Sequence, residues 1–291
     1  MRSLLFVPGD SPRKFEKASG TAADALILDL EDSVAPSAKP AARATVLEML
    51  KAPRRQKLFV RVNALDTGLA PLDLAAVMPG RPDGIMLPKC AGPDHVRQLS
   101  YHLDVCEALQ DGAGGRLGAT QILPIVTETA ESVRALAASS YRDAGPRLWG
   151  MLWGGEDLAA SLGATGNRTG GRYHGPFLLA RNLCLMAAAA AGVEAVDTVA
   201  VDIADLAGVE AEAREARRDG FSAKVVIHPS HVDAVNAAFS PTPEELAWAE
   251  RVRGAFANQP EAGVVKLDGK MVDKPHLRSA ERILARGGRV T

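Results

Sequence analysis

Eight short apolar runs punctuate this chain, and most are apolar throughout rather than alternating. They are Ser3–Val7, Ala25–Leu30, Leu58–Val62, Gly84–Leu87, Gln121–Val126, Leu148–Trp153, Val193–Ala200 and Ser222–Ile227. A strand that is apolar on successive residues is buried on both faces, which is the condition of a parallel sheet covered by helices. Helical patterns follow most of the runs, over Pro12–Ala18, Ala38–Leu50, Pro93–Leu109, Ala130–Ala138, Phe177–Ala191 and Asp205–Asp219. Eight such strands alternating with helices predict an α/β fold of the (β/α)8 barrel type, with a doubly wound open sheet as the rival. The packing is expected to rest on Ala, Leu, Val and Ile, because only 4% of residues are aromatic.

Past the eighth run, Thr242-Pro243-Glu244-Glu245 reads as a capping box with Pro at the first helical position. It opens what is expected to be the last barrel helix, ending near Phe256. Asp268-Gly269 between two short apolar runs is a hairpin signal, and a short helix is expected from about Pro275 to Ala285. The expected division is a catalytic barrel over 1–258 and a C-terminal lid over 259–291, too small to fold alone. The Gly-rich stretch Gln110–Ala119 precedes a strand instead of following one, so it is no dinucleotide fingerprint and reads as a surface loop.

Net charge is −1, and no basic stripe interleaved with aromatics argues for nucleic acid. No stretch approaches the ~18 apolar residues of a membrane helix, and the N-terminal apolar run is too short for a signal peptide. Cys90, Cys106 and Cys184 are scattered, odd in number and without redox or metal-ligand spacing, which suits a reduced cytoplasm.

In a barrel, function gathers at the C-terminal ends of the strands. There the chain places Asp29, Glu31 and Asp32 after the second run, Arg61 and Asn63 with the third, and Pro88-Lys89 after the fourth. Glu128 follows the fifth, Glu156 and Asp157 the sixth, and His228 the eighth. Glu128 and Asp157 follow neighbouring strands, and two carboxylates brought close repel unless a cation or a proton lies between them. Oxygen ligands with room for water suit Mg²⁺, or Mn²⁺, although each residue also suits a plain helix cap. Asp29, Glu31 and Asp32 would orient water and basic groups around the cation or simply start a helix. Arg61 is read as a fork for a substrate carboxylate, an ion-pair partner for the Asp29 cluster, or both. His228 before Pro229 reads rather as a structural histidine. Lys17 and Arg13, after the first strand, read as ordinary helix-surface charges.

Taken in order, Leu5-Phe6-Val7-Pro8-Gly9, Leu26-Ile27-Leu28-Asp29-Leu30-Glu31-Asp32-Ser33-Val34, Arg61-Val62-Asn63, Pro88-Lys89, Glu128-Thr129-Ala130, Glu156-Asp157-Leu158 and Ile227-His228-Pro229 resemble the citrate lyase beta-subunit family of the HpcH/HpaI aldolase superfamily. The resemblance implies a TIM barrel of the phosphoenolpyruvate/pyruvate type, with Mg²⁺ on Glu128 and Asp157. It implies Arg61 on the substrate oxyanion or carboxylate, and Phe6, Arg13, Lys17, Glu128 and Glu156 on the substrate side. Gly269-Lys270-Met271-Val272-Asp273-Lys274-Pro275 resembles the lid of the free-standing lyases, in which an Asp reaches a neighbouring subunit's site. Asp273 matches it as a catalytic acid/base, with a helix N-cap as its plain alternative.

The expected activity is therefore Mg²⁺-dependent cleavage or formation of a 3-hydroxyacyl-CoA thioester (malyl-, citramalyl- or citryl-CoA), with a 2-keto acid and an acyl-CoA as partners. A homo-oligomer is expected, a trimer or a multiple of one. The rivals are a citrate lyase beta subunit acting on a citryl-acyl carrier protein, a class II aldolase of 4-hydroxy-2-keto acids, and a metal-binding barrel with a scaffold role. Either direction of reaction, with or without an added thioester hydrolysis, is compatible with these residues.

Overall fold

A computed structural model describes residues 1–111 and 117–288. In chain order the first half runs β1 (Ser3–Pro8), α1 (Pro12–Ser19), β2 (Ala25–Asp29), α2 (Lys39–Lys51), β3 (Lys57–Arg61), α3 (Ala70–Val77), β4 (Gly84–Leu87), α4 (Pro93–Asp111), β5 (Gln121–Pro124) and α5 (Ala130–Ala138). Then come β6 (Gly150–Leu152), α6 (Glu156–Leu162), a small hairpin of β7 (Arg168–Thr169) and β8 (Arg172–Tyr173), α7 (Gly175–Ala191), β9 (Glu194–Asp197), α8 (Leu206–Asp219), β10 (Ala223–Val226) and α9 (Val232–Phe239). The tail holds α10 (Pro243–Ala257), β11 (Val264–Leu267), β12 (Lys270–Asp273) and α11 (Lys274–Gly287). Of the Gly-rich stretch, residues 112–116 lie outside the described residues.

The eight long strands form one parallel sheet in the order β5-β4-β3-β2-β1-β10-β9-β6. Parallel bridges Ile122–Leu148 and Ile125–Leu152 bring its two edges together, so the sheet curls into a nearly closed barrel. The open-sheet rival is thereby set aside. The interior is filled by alternate residues of each strand: Leu4, Ala25, Ile27, Phe59, Met86, Leu123, Leu152, Val196, Ala223 and Val225, all buried. Their neighbours on the other strand face lie under the helices, so β2 and β4 are buried along their whole length. That double burial is why the sequence shows unbroken apolar runs.

The chain divides into two compact units, Met1–Ala238 and Phe239–Thr291. This boundary lies ahead of the expected 258/259 division. The helix opened by Thr242 was expected to close the barrel. It instead belongs to the second unit, where Ala249, Val252 and Phe256 of α10 share a core with Val265, Val272 and Ala280. The capping box itself is present: Thr242 Oγ1 accepts the Glu245 N–H at 3.2 Å and Glu245 accepts the Thr242 N–H at 2.8 Å. Capping residues fix where a helix starts but carry no information on what it packs against. The hairpin turns at Asp268 and Gly269, whose φ values are 50° and 77°, the left-handed pair that Asp-Gly permits. Among the described residues, no helix is long and apolar enough to cross a membrane.

Candidate active site

The strand register builds the first half of the site. Asp29 ends β2 directly beside Arg61, which ends β3. Arg61 Nε donates to Asp29 Oδ1 at 2.7 Å and Nη2 to Oδ2 at 2.8 Å, a two-pronged pair. Nη1 stands 3.1 Å from Glu31 Oε2, and the guanidinium lies over the Phe6 ring, 4.9 Å from its centroid. Asp29 also accepts the N–H groups of Glu31 and Ser33. Burial pushes its carboxyl up, but Arg61 and these donors outweigh that and hold it below the usual range.

Lys89, the second residue after β4, builds the other half. Its φ is 51°, a conformation that a non-glycine residue adopts at a cost. The turn aims its N–H at Glu128 Oε2, 2.6 Å away, and its ammonium at Glu31 Oε1, 2.5 Å away. The same ammonium lies 3.4 Å from Asp157 and 3.8 Å from Asp32. Glu31 is buried, which raises its pKa despite Arg61 and Lys89. Glu128 is raised further, to about 8, first by burial and then by the charges of Glu31 and Asp157. Glu128 has this space because Gly154 opposite carries no side chain. A Cβ there would stand 3.0 Å from Glu128 Cγ. Gly154 is pinned by its N–H donating to Thr127 Oγ1 at 2.8 Å.

A cavity of about 360 Å³ opens over this cluster, and Phe6, Asp29, Asp32, Arg61, Glu128, Glu156 and Asp157 all line it. Glu31 lies just behind, holding Lys89. Glu156 is turned to Asn167, whose Nδ2 donates to its Oε1 at 2.7 Å. Arg13 and Lys17 lie exposed on α1 and do not line the cavity. Asp273 belongs to the second unit, with its half-exposed carboxylate paired to His276 Nδ1, which holds its pKa below the usual range. His228 caps the turn Pro229–His231 and bonds Ser230, the structural role expected of it. Asn63 is buried and braces the Leu30 carbonyl.

Sequence reasoning gave no role to Ile125, Leu152, Trp153, Thr198, Val199 and Val225, which also line the cavity. It placed Lys89 after the fourth run without a function. The available signal was position, since Lys89 follows its strand as closely as Arg61 and Glu128 follow theirs.

Five carboxylates (Asp29, Glu31, Asp32, Glu128 and Asp157) thus face two cations, Arg61 and Lys89. That deficit and the all-oxygen donors fit a divalent cation at Glu128 and Asp157. Among the described residues, no three His, Cys, Asp or Glu side chains form a ready metal cage. A cation here would draw its other ligands from water and substrate oxygens, as Mg²⁺ commonly does.

Residues 2–229 match the family described as HpcH/HpaI aldolase/citrate lyase, which is most of the chain. The chain belongs to this family. Residues 181–289 also match a family of carbon–carbon bond lyases of the TIM-barrel fold. Among named relatives, the chain is 38% identical to a citrate lyase subunit beta-like protein of Mycobacterium tuberculosis, over 99% of this chain and 96% of that one. It is 38% identical to a (3S)-malyl-CoA thioesterase of Cereibacter sphaeroides, over 98% and 94%. It is 34% identical to the mitochondrial citramalyl-CoA lyase of Mus musculus, over 97% and 85%. The solved structure of the protein CitE from M. tuberculosis in complex with magnesium, acetoacetate and coenzyme A superposes with a TM-score of 0.78 at 37% identity, covering 99% of this chain and 98% of that chain.

Proposed function

We propose that this protein is a Mg²⁺-dependent carbon–carbon lyase that cleaves, or in reverse condenses, a 3-hydroxyacyl-CoA thioester of the malyl, citramalyl or citryl type. The products are a 2-keto acid and an acyl-CoA. The observation that carries this reading is the convergence of Glu128 and Asp157 on Lys89 at the barrel mouth, Glu128 on its backbone N–H and Asp157 near its ammonium, beside a guanidinium locked by Asp29. It is supported by relatives named for malyl-CoA and citramalyl-CoA chemistry and by the magnesium and coenzyme A of the solved relative.

The substrate carries a carboxylate on its carbinol carbon and breaks between C2 and C3. Glu128 and Asp157 are the residues that would hold the Mg²⁺, which when bound supplies the Lewis acidity that acidifies the hydroxyl and polarises the forming carbonyl. Arg61 meets the negative charge that develops on the thioester as the bond breaks. Its two-pronged grip on Asp29 fixes it in advance, so little reorganisation accompanies the reaction. Lys89 ties Glu31 to Glu128 and stays charged beside the carboxylates, its pKa held above the usual lysine value by Glu31 even though burial opposes this. Phe6, Ile125, Val199 and Val225 give the cavity an apolar wall that excludes water from the enolate. Asp273 is assigned the proton transfer at the acyl methyl or methylene carbon, as acid in cleavage and base in condensation. Arg13 and Lys17, exposed and four residues apart on α1, suit the phosphates of the thioester carrier.

The three cysteines are unpaired, which fits a reducing cytoplasm. We further propose a homo-oligomer, a trimer or a multiple of one, in which Asp273 is supplied by a second copy. Turnover of malyl-, citramalyl- and citryl-CoA, with and without Mg²⁺, tests the function. We expect metal-dependent release of a 2-keto acid from at least one of them. Turnover only of citryl-acyl carrier protein, or only of a free 4-hydroxy-2-keto acid, would sink the reading. Hydrolysis of the thioester without a keto acid would sink it equally.

A further inference from the structure

Apart from the carboxylate cluster, the barrel holds a second group of charges that no step above uses. Lys224, in β10, is 1% exposed. Its ammonium donates to Asp197 Oδ2 and to the Thr198 carbonyl, both at 2.7 Å, and lies 3.5 Å from Glu212. A buried ion pair is a weak source of stability, since an apolar side chain of the same volume serves the core as well or better. What such a pair supplies is a fixed geometry, and here the geometry leads to the active cavity. Asp197 Oδ1 accepts the indole N–H of Trp153 at 2.7 Å. Trp153 directly precedes Gly154, the residue that makes room for Glu128, and lies four positions before Asp157. Trp153 and Thr198 both line the cavity, so one buried cation fixes two parts of its wall.

The β7–β8 hairpin braces the same loop from outside. Tyr173 stands edge-on to the Trp153 ring at 4.9 Å. Arg168 lies over Tyr173 at 4.2 Å and pairs with Glu212 at 2.8 Å, while Asn167 holds Glu156. A separate cavity on the far side has Tyr173, Asp197 and Glu212 in its wall, so the network is a partition with open space behind it. A partition of that kind stays in place through its bonds, because close packing is missing on one side.

We propose that Lys224 and Asp197 are positioning residues of the active site, acting through the indole N–H of Trp153 to set the Gly154-Gly155 turn and the start of α6, which presents Asp157 toward Glu128. The effect on metal affinity rests on the lyase reading above; the effect on the turn does not. The test uses the full-length enzyme with Trp153→Phe, which keeps an aromatic ring but removes the donor and part of the buried indole volume, and with Lys224→Met, which leaves the indole in place, as a second variant. Trp153→Phe is expected to fold with a lower melting temperature, because buried volume and one buried hydrogen bond are lost. Amide hydrogen exchange over residues 154–158 should quicken about fivefold, the size of one lost hydrogen bond. Mn²⁺ binding, followed by electron paramagnetic resonance, should weaken about 10- to 100-fold, the usual cost of losing a group that orients a metal ligand. Lys224→Met, where it folds, should show both effects. Asp157→Asn serves as the reference, weakening Mn²⁺ binding while leaving exchange at 154–158 unchanged. If Trp153→Phe leaves exchange and Mn²⁺ affinity at wild-type values, the proposal is overturned. If the wild type binds no Mn²⁺, the lyase reading fails, and the exchange rates alone then decide whether the network positions the turn.

Discussion

Glu107 on α4 and Glu128 after β5 both expose little surface, 4% and 3%, but Glu128 lies deeper in the protein, and their carboxyls are driven in opposite directions. Burial pushes both up. At Glu107 it is outweighed by the N–H groups of Gly118 and Thr120 and by two donors of Arg147, all within 2.9 Å, and the pKa falls to about 2. At Glu128 the backbone N–H of Lys89 and the more distant Arg61 act against the charges of Glu31 and Asp157, and the pKa rises to about 8. Arg147 and Thr120 precede β6 and β5, at the N-terminal end of the barrel, whereas Glu128 follows β5 at the other end. One glutamate is satisfied and closes the base of the barrel. The other is short of positive charge and faces a cavity. Deep burial together with the number and sign of a carboxylate's partners separates the structural end from the chemical end.

The largest contrast is expected from amide substitutions at the two positions. Glu128→Gln should lower Mg²⁺-dependent thioester cleavage by about 10³-fold, the scale of losing a preorganised electrostatic group. Its melting temperature should stay level or rise, because a carboxyl disfavoured as an anion at this position is replaced by a neutral amide. Glu107→Gln should do the reverse. It leaves Arg147 buried without its main counter-charge, at a cost of about 3–5 kcal/mol of stability by urea denaturation, with kcat/KM unchanged in the folded fraction. Equal losses of activity in the two variants would break the comparison.

A third carboxylate sharpens it, since Asp273 is neither buried nor short of a partner. Asp273→Asn keeps a competent helix cap, so the melting temperature should hold while the rate of carbon–carbon cleavage falls about 10²-fold or more. A near wild-type rate would remove Asp273 from the chemistry. The smallest effect is on acid stability. Because the folded-state pKa of Glu107 is depressed, its contribution is present above its unfolded value of about 4.3 and is lost as pH falls through about 2. The urea midpoint of Glu107→Gln should therefore depend less on pH between about 4.5 and 2 than that of the wild type. An unchanged slope would show that Glu107 does not carry the acid limb.

Much of this was legible in the residues. Unbroken apolar runs gave the strands and a helical pattern the helix over Ala130–Ala138, although its cap is Thr129, whose Oγ1 accepts the Ser132 N–H at 3.0 Å, and not Glu128. The Asp29–Arg61 pair followed from strand ends in neighbouring register. Other pieces were not legible: α3 (Ala70–Val77) lacks the amphipathic period that marks α1, and the two-residue strands of the β7–β8 hairpin are too brief for periodicity to declare them. The placement of α10 with the tail depends on tertiary packing. So does the buried Lys224, which in sequence is one polar residue inside an apolar run. The left-handed turn at Lys89 that joins Glu31 to Glu128 is a property of the backbone, and no residue type announced it.

The most direct test of the central claim is a crystal structure of the enzyme grown with Mg²⁺ and a 2-keto acid. The account predicts one cation with an oxygen of Glu128 and an oxygen of Asp157 each about 2.1 Å away, and the remaining positions filled by water and the keto acid. A cation held elsewhere, or one that leaves either carboxylate outside its coordination sphere, would contradict it.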